Sequence, residues 1–191
     1  EETGKVNEDA DYNWLIDPID GTKSFVRGYP FFSTQIALMY KGELIVGVSN
    51  SPGFNEMVYA EKGQGAWLNG EKIEVSDIAD IGKSTLSLGN IATIASKPQW
   101  QTVGELVQEV HRIRGYGDFY HYHLLASGKI DLIIESDVNI LDIAALSVIV
   151  TEAGGRFTDL SGQPLTLETT SVLACNLQTT HQKLLDRLQY V

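Results

Sequence analysis

Two carboxylates, Asp17 and Asp20, stand three residues apart in the stretch Trp14-Leu15-Ile16-Asp17-Pro18-Ile19-Asp20-Gly21-Thr22. At the end of a strand, followed by a proline-containing turn, such a pair can converge on one small volume. Like charges that close repel each other unless a cation sits between them or one stays protonated. Hard divalent ions such as Mg²⁺ take oxygen ligands, keep several waters and leave room for phosphate oxygens. Gly21-Thr22 adds backbone N–H groups and a hydroxyl where the chain turns toward a helix, a geometry that receives an anion. The same residues also fit a plain Asp-Pro-x-Asp-Gly turn whose acids satisfy only local backbone groups. On residue chemistry alone the two readings stand level.

Other reactive side chains carry less. Cys175 is the only cysteine, which excludes an intrachain disulfide. It lies in the apolar run Ser171-Val172-Leu173-Ala174-Cys175 and reads as a small buried residue rather than a catalytic thiol. His121 and His123 flank Tyr122 on one predicted helix and point in different directions, so a shared metal is not expected. They read as surface or substrate-edge residues, and His111 and His181 as members of polar helix faces. Trp14, Trp67 and Trp100 read as packing residues.

The elements that must position the acids follow from pattern. Tyr12 to Ile16 is a short β-prone run, and Pro18 predicts that the strand stops at Asp17. Phe31 to Tyr40 and Glu43 to Asn50 form a hairpin about Lys41-Gly42, and Asn55 to Ala60 and Gly65 to Leu68 add two strands. Asn69-Gly70 is a strong hairpin signal that returns the chain through Lys72 to Val75. These short connections argue for an antiparallel sheet.

After a composition change near Ile81-Gly82-Lys83, helix and strand patterns alternate. Gln99 to Arg112 has helical spacing. Asp118 can cap a short helix running to Ser127, with Gly128 ending it. Ile130 to Glu135 reads as a strand, Leu141 to Ala153 as an apolar helix, and Thr180 to Leu188 as an amphipathic one. The expected fold is therefore α/β: an antiparallel-sheet half over residues 1–82 and a mixed α/β half over 83–191, packed in layers.

The chain has 191 residues and a formal net charge of −11, with 25 acidic against 14 basic residues. That balance disfavours nucleic acid or an anionic membrane as partner, since both require a positive face. Neither a membrane-length apolar stretch nor a basic-then-apolar leader pattern is visible, so the cytoplasm is the expected compartment. The start at Glu1-Glu2-Thr3-Gly4, without an initiator methionine, reads as a chain cut or processed inside a larger one.

Asp17-Pro18-Ile19-Asp20-Gly21-Thr22, with Phe25 three residues on, resembles the signature of the inositol monophosphatase superfamily. Leu141-Asp142-Ile143-Ala144-Ala145, followed by Glu152-Ala153-Gly154-Gly155, resembles its second signature, with Leu141 where an aromatic is usual. Two independent motifs in the expected order favour the metal reading over the plain turn. The resemblance implies the layered α-β-α-β sandwich of sugar phosphatases, two or three Mg²⁺ ions, and a homodimer acting on a small phosphate monoester.

By the same resemblance Asp17 bridges two metals, assisted by the backbone carbonyl of Ile19, while Asp20 and Asp142 complete a second metal site. Glu1, sixteen residues before Asp17, falls at the first glutamate of the family's Gly-Glu-Glu segment. It would bind metal and, with the Thr22 hydroxyl, aim the attacking water. The Gly21 and Thr22 amides would hold phosphate, and no covalent phosphoenzyme is expected. The family's N-terminal helical segment has no counterpart before Glu1.

Glu135 lies seven residues before Asp142, where family phosphatases place a carboxylate facing the substrate alcohol. The runs Arg114-Gly115-Tyr116-Gly117-Asp118-Phe119 and Ser24-Phe25-Val26-Arg27-Gly28-Tyr29-Pro30 look like the histidinol-phosphatase branch. A second carboxylate at Asp118 suits a substrate ammonium, which needs a counter-charge once desolvated. Histidinol phosphate leads over inositol 1-phosphate, another small sugar or polyol phosphate, and a non-catalytic scaffold.

Overall fold

The computed structural model describes residues 10–189. Strands β1 (Tyr12–Asp20), β2 (Ser33–Tyr40), β3 (Glu43–Ser51), β4 (Glu56–Glu61), β5 (Gly65–Leu68) and β6 (Glu71–Ile73) form one antiparallel sheet in sequential order. Its last hairpin turns at Asn69 and Gly70, both with positive φ as that turn demands. A short helix, α1 (Thr22–Val26), interrupts the meander after β1.

A 3₁₀ turn at Ile81–Lys83 leads to the second sheet. It comprises β7 (Thr85–Gly89), β8 (Arg112–Arg114), β9 (Leu132–Ser136), β10 (Arg156–Thr158) and β11 (Ser171–Cys175), in the order β10-β11-β9-β7-β8. β7 runs parallel to both β8 and β9, whereas β11 is antiparallel to its neighbours. The helices are α2 (Ile91–Ala95), α3 (Trp100–Glu109), α4 (Tyr120–Ala126), α5 (Ile140–Glu152) and α6 (Gln178–Leu188).

Burial arranges these elements into four layers. Helices α4 and α5 lie between the sheets: Ala37, Val58, Ala60 and Ala66 from the first sheet, Ile143, Leu146 and Ile149 from α5, and Ile133, Val172 and Ala174 from the second share one core. The alternate residues of the second sheet, Leu132, Ile134, Leu173 and Cys175, face a separate core with Val103, Leu106 and Leu184. The expected α-β-α-β order is thus observed. Helix α5 is apolar almost all round because it is covered on both sides. Gly47 lets it approach β3: a β-carbon there would stand 2.2 Å from the Ala145 carbonyl oxygen. Cys175 is fully buried, and burial pushes its thiol pKa far up.

Several expectations need correction. β1 does not stop at Asp17 but continues through Pro18 to Asp20. Pro18 lies on an edge strand and within the bulge between Asp17 and Asp20, where it has no register partner, so its missing N–H interrupts no ladder bond. The helix expected from Gln99 to Arg112 ends at Glu109, because Arg112–Arg114 is drawn into parallel pairing with Thr85–Ser87. β7 and α2 carried no recognised pattern. Asp118 does not cap α4; its φ is +45° and Phe119 holds the cap position. Trp14 is 60% exposed on the open face of the first sheet, and Trp100 is also exposed, so neither is a core residue. His121, His123 and His181 are buried rather than on polar surfaces. Among the described residues no helix is long and apolar enough to cross a membrane.

Candidate active site

In an uninterrupted strand, residues three apart point to opposite faces. β1 escapes this rule through a bulge: Asp17 pairs with Gln35 and Asp20 with Ser33, so three steps on β1 meet two on β2. Both carboxylates therefore turn to the inner face, where they are buried. Asp17 Oδ1 accepts the Ile19 N–H at 2.9 Å, and Asp20 Oδ2 accepts the Ser33 hydroxyl at 3.2 Å.

The chain then turns at Gly21, whose φ is +79° and where a β-carbon would lie 2.4 Å from the Phe31 carbonyl oxygen, so only glycine fits. The Gly21 carbonyl accepts the Ser24 and Phe25 N–H groups at 2.9 and 3.0 Å, which closes the first turn of α1. The exposed Thr22 donates its hydroxyl to the Ile19 carbonyl at 3.2 Å.

Asp142 arrives from the start of α5. Asn139 caps that helix by accepting the Leu141 N–H at 2.7 Å. The Asp142 carboxylate in turn accepts the Asn139 backbone N–H and its side-chain amide, both at 2.9 Å. This reciprocal box fixes the rotamer that brings Asp142 to the first sheet. Ligand oxygens of Asp17, Asp20 and Asp142 all lie within 4.8 Å of one another. Burial, followed by Asp142, Asp118 and Asp17, holds the Asp20 carboxyl well above the usual carboxylate range. Without a cation the cluster resists ionising fully, and hard oxygen donors so placed fit a divalent metal. Glu1, the remaining expected acidic ligand, lies outside the described residues.

A second acidic group adjoins the first. Glu135, at the end of β9, is only 4% exposed. Its Oε2 accepts the Tyr122 hydroxyl at 2.6 Å and lies 3.0 Å from His121 Nε2. His121 Nδ1 is 3.2 Å from the Ser87 hydroxyl, so the self-consistent arrangement has Nε2–H donating to Glu135 and Ser87 donating to Nδ1. Desolvation, then Glu135, pushes the Tyr122 hydroxyl pKa well up. Asp118 is raised by desolvation and next by Glu135, and it acts on Asp20 as well. The acids predicted from distant segments are thus brought into one electrostatic neighbourhood.

Sequence reading missed the partners of these acids. Ser33-x-Gln35-x-Ala37 alternates onto the buried face of β2, a period-two signal that reading Phe31 to Tyr40 simply as a hairpin strand left unused. His121 and His123 point apart, as their two-residue offset predicts: one ring meets Glu135 and Ser87, the other Glu56 and Ser49.

Fold and site together define a two-sheet α/β protein with an oxygen-donor acidic centre that could hold a divalent metal. The chain belongs to the inositol monophosphatase family, whose profile matches residues 1–190; the family is metal-dependent. It is 37% identical over 167 residues to the histidinol-phosphatase of Mycobacterium tuberculosis, covering 85% of this chain and 64% of that protein. It is 39% identical over 159 residues to the fructose-1,6-bisphosphatase/inositol-1-monophosphatase of Thermotoga maritima, covering 83% and 60%. Among solved structures, an inositol monophosphatase from Zymomonas mobilis superposes with a TM-score of 0.89 at 28% identity, over 98% of this chain and 74% of that one. The chain thus spans somewhat less than two thirds of the length of these two curated relatives.

Proposed function

We propose that this chain carries the centre of a Mg²⁺-dependent phosphomonoesterase that releases phosphate from histidinol phosphate. The observation that carries the reading is the convergence of Asp17, Asp20 and Asp142 from two distant segments. These residues, with the Ile19 carbonyl and Glu1, would hold two or three magnesium ions. Bound there, the ions would supply charge neutralisation and a water nucleophile at neutral pH. Gly21 and Thr22 would receive the phosphate at the turn into α1, and Thr22 with Glu1 would orient the attacking water. Displacement in line then needs no covalent phosphoenzyme. We place the protein in the cytoplasm as a homodimer.

Substrate choice is assigned to Asp118 and Glu135. Likeness to histidinol-phosphatases supports a substrate ammonium, and the two neighbouring acids supply its counter-charge. Likeness to the Thermotoga maritima enzyme and to inositol monophosphatases supports a second reading, a polyol or sugar phosphate. Phosphate release from histidinol phosphate and inositol 1-phosphate, each with Mg²⁺ and with chelator, tests both. Faster Mg²⁺-dependent release from histidinol phosphate is expected. A reversed preference selects the second reading, and no release of either leaves a non-catalytic scaffold.

A further inference from the structure

Asp20 is tied to β4, three strands away in the first sheet, by a buried chain of side chains. Gln35 Nε2 lies 2.7 Å from Ser33 Oγ and 2.9 Å from Ser49 Oγ. Ser33 continues to Asp20. In the other direction Ser49 Oγ lies 2.7 Å from His123 Nε2, and His123 Nδ1 lies 3.1 Å from Glu56 Oε2. The chain crosses four neighbouring strands, β1 to β4, with His123 of α4 bridging the last two. Ser33, Gln35 and Ser49 are each at most 1% exposed, as is His123; only the Glu56 end reaches solvent.

The order of donors along this chain is fixed from its ends. Glu56 is held ionised, its pKa lowered first by the hydrogen bond from His123. It therefore accepts Nδ1–H, and the neutral ring presents Nε2 as an acceptor. Ser49 must then give its hydrogen to His123 and receive one from Gln35. That sets the amide so that Nε2, not Oε1, faces both hydroxyls, and Ser33 is left with its hydrogen for Asp20. Turning the amide over would set Oε1 against both hydroxyls and draw the Ser33 hydrogen away from Asp20. The present orientation leaves Gln35 Oε1 buried without a hydrogen-bond partner among the described residues. A buried acceptor in that state is costly, so the hydrogen-bond order beyond it must hold the amide in place.

We infer that His123 is a remote positioning residue, which fixes through Ser49, Gln35 and Ser33 the presentation of the Asp20 carboxylate to a metal. The inference rests on the proposed metal site. A carboxylate with one oxygen committed to a donor has a defined plane for its remaining lone pairs, and loss of such supporting partners commonly weakens a metal about tenfold or more.

Two measurements on the purified protein test it. Mn²⁺ binding, read by electron paramagnetic resonance on wild type, Asp20→Asn, His123→Leu, Ser49→Ala, Glu56→Ala and Glu56→Gln, reports the site without turnover. About tenfold weaker binding is expected for His123→Leu, Ser49→Ala and Glu56→Ala. Glu56→Gln, which keeps an acceptor for Nδ1–H, should restore most of it. A merely structural role would lower melting temperature and leave Mn²⁺ affinity of the folded protein unchanged. Ser49→Ala removes only a hydroxyl and keeps the test open should His123→Leu fold poorly. In parallel, the ¹⁵N spectrum of His123 should show a protonated Nδ1 and a bare Nε2. Overturning results are Mn²⁺ binding that Asp20→Asn abolishes but the folded relay variants keep within twofold, or the opposite tautomer at His123. A wild-type protein that binds no Mn²⁺ would instead overturn the metal site, and this inference with it.

Discussion

Gly89 and Glu135 are partners across the parallel strands β7 and β9, and a β-carbon on Gly89 would stand 2.0 Å from Glu135 Oε1. The glycine is the floor on which the carboxylate lies, while Tyr122 holds its other oxygen. Gly89→Ala should therefore displace Glu135 and cost about 1–3 kcal/mol of stability through overpacking. Substrate KM should rise while Mn²⁺ affinity stays at the wild-type level. Urea unfolding and steady-state kinetics check this; wild-type stability with unchanged KM would refute it.

In the proposed function Asp118 supplies the counter-charge to a substrate ammonium, so its variant separates a charged substrate from a neutral one. Its removal in Asp118→Ala should lower kcat/KM for histidinol phosphate by roughly ten- to a hundredfold, the worth of a hydrogen bond to a charged group. Inositol 1-phosphate should lose much less. Equal losses on the two substrates would remove the argument from the ammonium.

At Asp142 shape and charge can be separated. Asp142→Asn keeps an oxygen that can accept the Asn139 N–H, so α5 remains capped. Turnover should nevertheless fall by about a hundredfold or more, since a ligand matters at least as much as its supporting partners. Retained activity with ordinary magnesium dependence would count against the metal assignment.

His181 predicts a pH effect on stability unrelated to the site. It is buried, its Nε2 lies 2.9 Å from the Thr158 hydroxyl, and burial, with Arg156 adding, lowers its pKa to about 4. A base whose folded pKa is depressed contributes stability that is fully present above its unfolded pKa of about 6.5 and lost as pH falls through about 4. From pH 8 to pH 4.5 the loss should be about 2 to 3 kcal/mol. Urea unfolding of wild type and His181→Leu at both pH values isolates it: the variant should lose that much less. Identical pH dependence would contradict the buried neutral imidazole.

Local signals made much of this architecture legible. Asn69-Gly70 marked its hairpin, and the Asp17 and Asp142 motifs pointed to one another across most of the chain. Pro18 misled because its place in a bulge of an edge strand, which excuses a missing N–H, is a property of the sheet and not of the residues beside it. β7 escaped notice because its Leu86 and Leu88 side only becomes a core face when β8 and β9 pair with it. His123 was misplaced for a related reason: its partners Ser49 and Glu56 lie about 70 residues away, and nothing near Tyr122 announces them. What could be read was chemistry carried by short motifs; what could not was burial created by long-range pairing.

The single thiol, sealed inside β11, makes the protein a convenient subject for spectroscopy. A maleimide dye or nitroxide offered to the folded chain has no reachable thiol of this chain to react with. One cysteine introduced at an exposed position such as Lys41, far along the sequence from Asp142, would then carry the label alone, with no need to delete Cys175 and disturb the packing around it.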